Sequence, residues 1–204
     1  MEYIENSERI VGLKARIWRR EAFDIVGFDA VCPPNDPWPF TQHVIRDGRW
    51  AELVTTSSAP TWVLGLGDWD EQCPPGGQRY TICIEQTPQV DLSALEARYK
   101  LHRKTIGATA WMCFEVGRGQ SIWTKEHEPY AMLRKLGWQW NANVGCHFDA
   151  YPPGHVAGGP PAPGGSSAIG RTSRFSTRLM PFSSTTAPTG RPCRPRWHTS
   201  CGRF

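Results

Sequence analysis

Polar and apolar residues alternate over short stretches of the first 150 residues, and this alternation predicts strands. In "RIVGLKARIW" (9–18), Ile10, Gly12, Lys14, Arg16 and Trp18 fall on one side and Val11, Leu13, Ala15 and Ile17 on the other, the period of a half-buried strand. "CPPNDPWPF" then breaks the pattern. Residues 37–53, with Phe40, Val44, Ile45 and Leu53 near helical spacing, predict a helix that Asp36 could cap. "TWVLGLGDW" (61–69) and "RYTICIEQ" (79–86) predict two strands, and the turn-forming "CPPGGQ" between them suggests a hairpin. Residues 88–107 fit either a short helix or an extra strand. The order then begins again, with a strand over 108–116 ("ATAWMCFEV") and an amphipathic helix over 123–138. That helix turns Tyr130, Leu133 and Leu136 inward and has Gly137 near its end; a strand over 146–151 ("CHFDAY") follows. The expected class is α+β: a duplicated strand-helix-strand-strand unit forming an antiparallel sheet with two helices, the last strand of the second unit missing.

Composition changes this picture at the C-terminal end. Residues 151–204 hold seven arginines, no lysine and no acid, whereas residues 1–150 hold 16 Lys+Arg against 19 Asp+Glu. The same 54 residues include nine prolines, eight glycines and thirteen serines or threonines. So little apolar material cannot offset the entropy of ordering the chain. Two regions are therefore expected, a folded domain over 1–155 and a disordered tail over 156–204, of the kind that an out-of-frame reading of GC-rich DNA would give. Nucleic acid is not an expected partner except nonspecifically, through the basic tail. No apolar run approaches the roughly 18 residues of a membrane helix, and "MEYIENSERI" has neither the apolar core of a secretory signal nor the arginines of a transit sequence. The expected location is cytoplasmic. The seven cysteines include no CxxC pair and no Cys/His cluster at finger spacing, which argues against structural zinc and a disulfide scaffold.

Several segments carry a family likeness: "SERIVGLKARI", "IRDGRWAEL", the "WVLGLGDWD" and "YTICIE" hairpin, "ATAWMCFEVG", "PYAMLRKLGW" and "HFDAYPP". Across residues 3–155 these resemble the GyrI-like small-molecule-binding domain, the effector-binding domain of AraC-type and BmrR-type multidrug regulators. With no helix-turn-helix region before Met1, the chain looks like the stand-alone members, including those of mobile gene cassettes. Two departures stand out. The family's Tyr-Pro-Pro corner leads into a final apolar strand that nothing after Pro153 resembles, and the family's glutamate at that strand end is Asp149 here. A missing strand would leave a sheet edge unpaired, to be filled by a second copy or not at all, so monomer and dimer both stay open.

The resemblance implies an aromatic-lined pocket between the two halves, with a buried carboxylate that selects lipophilic cations, and it implies no cofactor. Aromatic faces and a carboxylate in a low-dielectric wall both attract cations. The candidates are acids with aromatic company: Glu115 on one strand face with Trp111 and Cys113, Asp149 with His147 and Tyr151, and Glu85 with Cys83 and Thr81, with Trp62 and Trp140 as further aromatic walls. Each acid has an alternative as a solvated strand end or, for Asp149, a turn cap, and each tryptophan has one as core. The implied function is capture of hydrophobic, cationic or aromatic small molecules as a sensor or effector-binding module of transcription-regulator type. The enzyme alternative is hydrolysis of reactive compounds through a pocket carboxylate, with Glu115 or Asp149 acting on water. A His147–Asp149 acid/base pair lacks a nucleophile, since "GxSxG" is absent and Cys146 faces the other way. "GLGDWD" lacks the strand-to-helix setting of a phosphate loop.

Overall fold

The computed structural model describes residues 2–5, 7–33, 36–68, 73, 77–117, 134–135, 137–141, 144, 146–153 and 175–184. In chain order the elements are β1 (Glu2–Tyr3), α1 (Ser7–Val11), β2 (Ala15–Arg20), β3 (Phe23–Cys32), α2 (Trp38–Arg46), α3 (Arg49–Thr55), β4 (Val63–Asp68) and β5 (Gln78–Glu85). There follow α4 (Ser93–Glu96), β6 (His102–Ile106), β7 (Thr109–Gly117), β8 (Trp138–Trp140), β9 (Cys146–Tyr151) and β10 (Phe175–Ser184). The fold is α+β, as expected, and the strands of the described residues join one antiparallel sheet in the order β1-β2-β7-β10-β9-β4-β5-β3-β6, with β8 alongside β10.

That order from β2 to β6 reads the same from both ends when β2 is exchanged with β6, β7 with β3, β10 with β5 and β9 with β4. The duplication is therefore real, and the two units meet where β4 pairs β9, with Leu66 opposite Phe148. Each unit also lends an arm to the other's edge: β2 pairs β7, and β6 pairs β3.

β10 corrects the expectation of a missing last strand. Phe175–Ser184, inside the tail expected to be disordered, occupies the counterpart of β5, with Leu179 opposite Cys113 on one side and Phe148 on the other. The position needs no second copy. Proline is disfavoured inside a sheet, and Pro181 stands where β10 passes from β9 to β8 as its neighbour. The stretch "FSTRLMPFSS" is short and lies among Pro/Gly/Ser-rich flanks, so composition averaged over the tail concealed it. Residues 154–174 and 185–204 lie outside the described residues.

Other boundaries also differ. The single helix expected over 37–53 is two, because Gly48 takes a positive φ of 85° and ends α2. Asp36 makes no capping hydrogen bond at α2, whose N-cap is Pro37 and whose second residue is Pro39. Residues 9–11 belong to α1, so the strand expected from residue 9 begins at Ala15. β3 had no counterpart in the alternation pattern, and residues 88–107 contain both a helix and a strand. The helix expected over 123–138 falls mostly outside the described residues.

Two apolar layers sandwich the sheet. On one side Val44 of α2 and Trp50 and Leu53 of α3 pack on Val26, Phe28, Val63, Tyr80, Ile82 and Ile84. On the other, Ile25, Leu64, Leu66, Cys83, Trp111, Cys113, Phe148 and Ala150 form a second cluster. Gly65 and Gly67 make room on the helix side, where a Cβ would come within 2.1 Å of the Tyr80 hydroxyl and 2.3 Å of the His147 ring. What they admit is neighbouring side chains.

Candidate functional site

The second apolar layer opens into a cavity of about 500 Å³. Its sheet wall alternates inward along each strand: Arg16, Trp18 and Arg20 from β2, Phe23 from β3, Trp111 and Cys113 from β7, Leu64 from β4, Glu85 from β5, and Phe148 and Ala150 from β9. The remaining wall is the connection from α3 to β4, through Ser57, Ala59, Pro60, Thr61 and Trp62, together with Thr87 and Gln89. This rim is tied down by the isolated bridge between Ser57 and Val90 and by hydrogen bonds from Ser58 N–H to the Gln89 carbonyl (3.1 Å) and from Asp91 N–H to the Thr56 carbonyl (2.8 Å). Phe148 stacks at a tilt against Trp111, ring centroids 5.2 Å apart, and lies 6.0 Å from Phe23. Trp62 is 44% exposed at the rim. An exposed tryptophan beside an apolar cavity is a common mark of a binding site.

The sequence candidates divide by strand parity. Glu85, Trp111 and Trp62 line the cavity. Glu115 stands two residues along from Cys113, and its Oε1 lies 3.1 Å from Nη2 of Arg16. Asp149 and Tyr151 lie on the helix side of the sheet. Asp149 Oδ2 accepts a hydrogen bond from the Tyr80 hydroxyl at 3.3 Å, and Tyr151 packs edge-on to Trp50 at 5.4 Å. The Trp140 side chain lies outside the described residues. Arg20, Phe23 and Phe148 belong to the cavity but were not among the sequence candidates.

Arg20 carries most of the polar geometry. Its guanidinium is bidentate to Glu85, Nη1 to Oε2 at 3.1 Å and Nη2 to Oε1 at 2.8 Å. Its carbon lies 4.7 Å from the Trp18 ring centroid and 4.1 Å from that of Phe23. Planar guanidinium suits both partners at once, with its edge to the carboxylate and its faces to the rings.

Nucleophilic chemistry has little support in this wall. Burial pushes the Cys113 thiol up to about 12, against the opposing pull of Arg16, and burial likewise raises Cys146 to about 12 and Cys83 further. At pH 8 a thiol of pKa 12 is ionised in only about one molecule in 10⁴. Iodoacetamide at pH 8 should accordingly label the half-exposed Cys73 of the native chain and leave Cys83, Cys113 and Cys146 unmodified on peptide mapping. Rapid labelling of Cys113 would show that the wall opens. Among the described residues no histidine lines the cavity, and no group of His, Cys, Asp or Glu is placed to hold a metal ion.

Solved structures share this architecture. SAV2435 bound to tetraphenylphosphonium matches with a TM-score of 0.56 at 17% identity, over 90% of this chain and 94% of that one. A Staphylococcus aureus MU50 protein ascribed to bacterial transcription regulation matches with a TM-score of 0.55 at 16% identity, over 85% of this chain and all of that one. The chain has the GyrI-like fold. EcmrR in its DNA complex also matches, with a TM-score of 0.53 at 11% identity, over 88% of this chain and 61% of that one. At these identities the likeness is one of architecture. No protein-family model and no curated protein matches the sequence.

Proposed function

We propose that the chain is a small-molecule-binding module of effector-binding type, taking hydrophobic aromatic compounds into the cavity between β2, β7, β9 and the α3–β4 connection. The observation that carries this reading is the cavity itself. About 500 Å³ lie against Trp18, Trp62, Trp111 and Phe148, behind a rim held in place by backbone hydrogen bonds. Such a space is large enough for a drug-sized molecule and offers flat, polarisable walls. Tetraphenylphosphonium bound to SAV2435 supports a lipophilic ligand, and EcmrR bound to DNA supports a regulatory setting for the fold. Among the described residues no helix is long and apolar enough to cross a membrane. The setting we propose is cytoplasmic, and the role is sensing or sequestration.

Titration of the full chain with aromatic dyes, followed by tryptophan fluorescence and melting temperature, tests the reading. Saturable quenching with a rise in melting temperature is expected. Trp62→Ala should weaken binding about tenfold while leaving the melt of the unliganded protein in place, because Trp62 is half exposed and contributes little to the core. An unchanged affinity would move the ligand away from this rim.

A further inference from the structure

A site for a lipophilic cation needs aromatic faces on either side of the charge and a carboxylate beside it. This cavity contains all three, in Trp18, Phe23 and Glu85, and Arg20 of the same chain already occupies the place between them. The second acid near the cavity, Glu115, is held by Arg16. Two arginines thus meet two carboxylates, and no acid of the described wall is left over for an incoming positive charge. A ligand cation would have to expel a tethered guanidinium, which would then stand unpaired beside Arg16 and the newcomer.

We propose that Arg20 is an internal occupant of the cation seat, making the cavity selective for uncharged aromatic ligands over cationic ones of similar size and shape. This rests on the cavity being the ligand site. It reverses the charge preference implied by the family resemblance, through one residue that strand parity places beside Trp18. The Arg20 and Glu85 side chains are 20% and 34% exposed, so the pair borders the space a ligand would enter and is not sealed in the core. Without Arg20, Glu85 would face the two rings with its charge uncompensated, which is what a cation requires.

The test compares tetraphenylphosphonium with uncharged triphenylphosphine oxide by fluorescence titration at fixed salt, on the full chain and on Arg20→Gln, Arg20→Lys and Arg20→Gln/Glu85→Gln. The wild type should prefer the uncharged probe. Arg20→Gln should shift the affinity ratio toward the cation by about tenfold. Arg20→Lys, which keeps the charge, should stay near the wild-type ratio, and the double variant should lose the gain. Melting curves of each protein identify any that is unfolded, and Arg20→Lys against the double variant then still separates charge from packing. A ratio that does not change on removing Arg20, with both probes bound, overturns the role given to Arg20 and leaves the cavity as a binding site. Failure of both probes to bind any folded form overturns the cavity as the ligand site, and the selectivity with it.

Discussion

A chain ending at Pro153 is expected to lose cooperative unfolding altogether. β10 is an interior strand, running beside β7 from Phe175 opposite Gly117 to Phe182 opposite Ala110, and beside β9 from Thr177 opposite Ala150 to Leu179 opposite Phe148. Its removal would strand two rows of backbone donors and acceptors and separate β7 from β9. At about 0.5–1.5 kcal/mol net for each hydrogen bond, the loss approaches the 5–15 kcal/mol that holds a typical domain together. Near-ultraviolet circular dichroism and a thermal melt of the truncated chain should show no fixed aromatic environment and no sharp transition. A truncated protein melting like the full chain would remove β10 from the fold. The composition of the tail, taken alone, predicts that unchanged melt, so the two accounts are opposed in one experiment.

The second large effect is expected at Gly27. β3 lies between β5 and β6, and a Cβ on Gly27 would fall 2.0 Å from the Ile82 carbonyl oxygen and 2.6 Å from Cys83 Cα. Both are backbone atoms, so no rotamer change relieves the clash. The strand itself must move, and Ile25, Val26 and Phe28, all buried, move with it. Gly27→Ala should therefore destabilise at or beyond the upper end of the about 1–3 kcal/mol usual for overpacking, lowering the melting temperature by roughly 6–12 °C for a domain of this size. Gly107→Ala is the natural comparison, since nothing lies within 4 Å of its would-be Cβ, and it should melt close to wild type. Equal melting of the two variants would mean that the approach of β3 to β5 is looser than the structure shows.

Residues with one buried and one wetter face were readable from the sequence. β9 alternates in this way, β7 was legible as an unbroken apolar run, and the hairpin of β4 and β5 was marked by its turn residues. β3 packs on both faces, with Ile25 in one apolar layer and Val26 and Phe28 in the other, and Asp24, Gly27 and Asp29 interrupt the apolar run that made β7 legible. A strand covered on both sides has no alternation to find. The acids show the same limit differently. Period two correctly set Asp149 with His147 and Tyr151 and set Glu85 with Cys83, but parity cannot say which face of a sheet the cavity occupies. Glu85 and Asp149 therefore looked equivalent, and only Glu85 lines the cavity. Arg20 was beyond reach for another reason. Its partner is 65 positions away, and nothing near it in sequence shows that it is paired with an acid. The usable signal was that Arg20 shares strand parity with Trp18 and is followed closely by Phe23.

The mirrored strand order also sets a timetable for synthesis. β3, α2, α3, β4, β5 and β6 lie within residues 23–106, so the first unit can close while the chain is still being made. The second cannot, because β7 and β9 wait for a strand that begins at Phe175, and β2 waits about 90 residues for β7. Pairings so far apart in sequence form slowly, and the half-built sheet exposes the edges of β4 and β7 in the interval. The cavity wall, drawn from β2, β3, β4, β5, β7 and β9, is thus among the last parts of the molecule to exist, and no ligand can meet it whole until β10 has arrived.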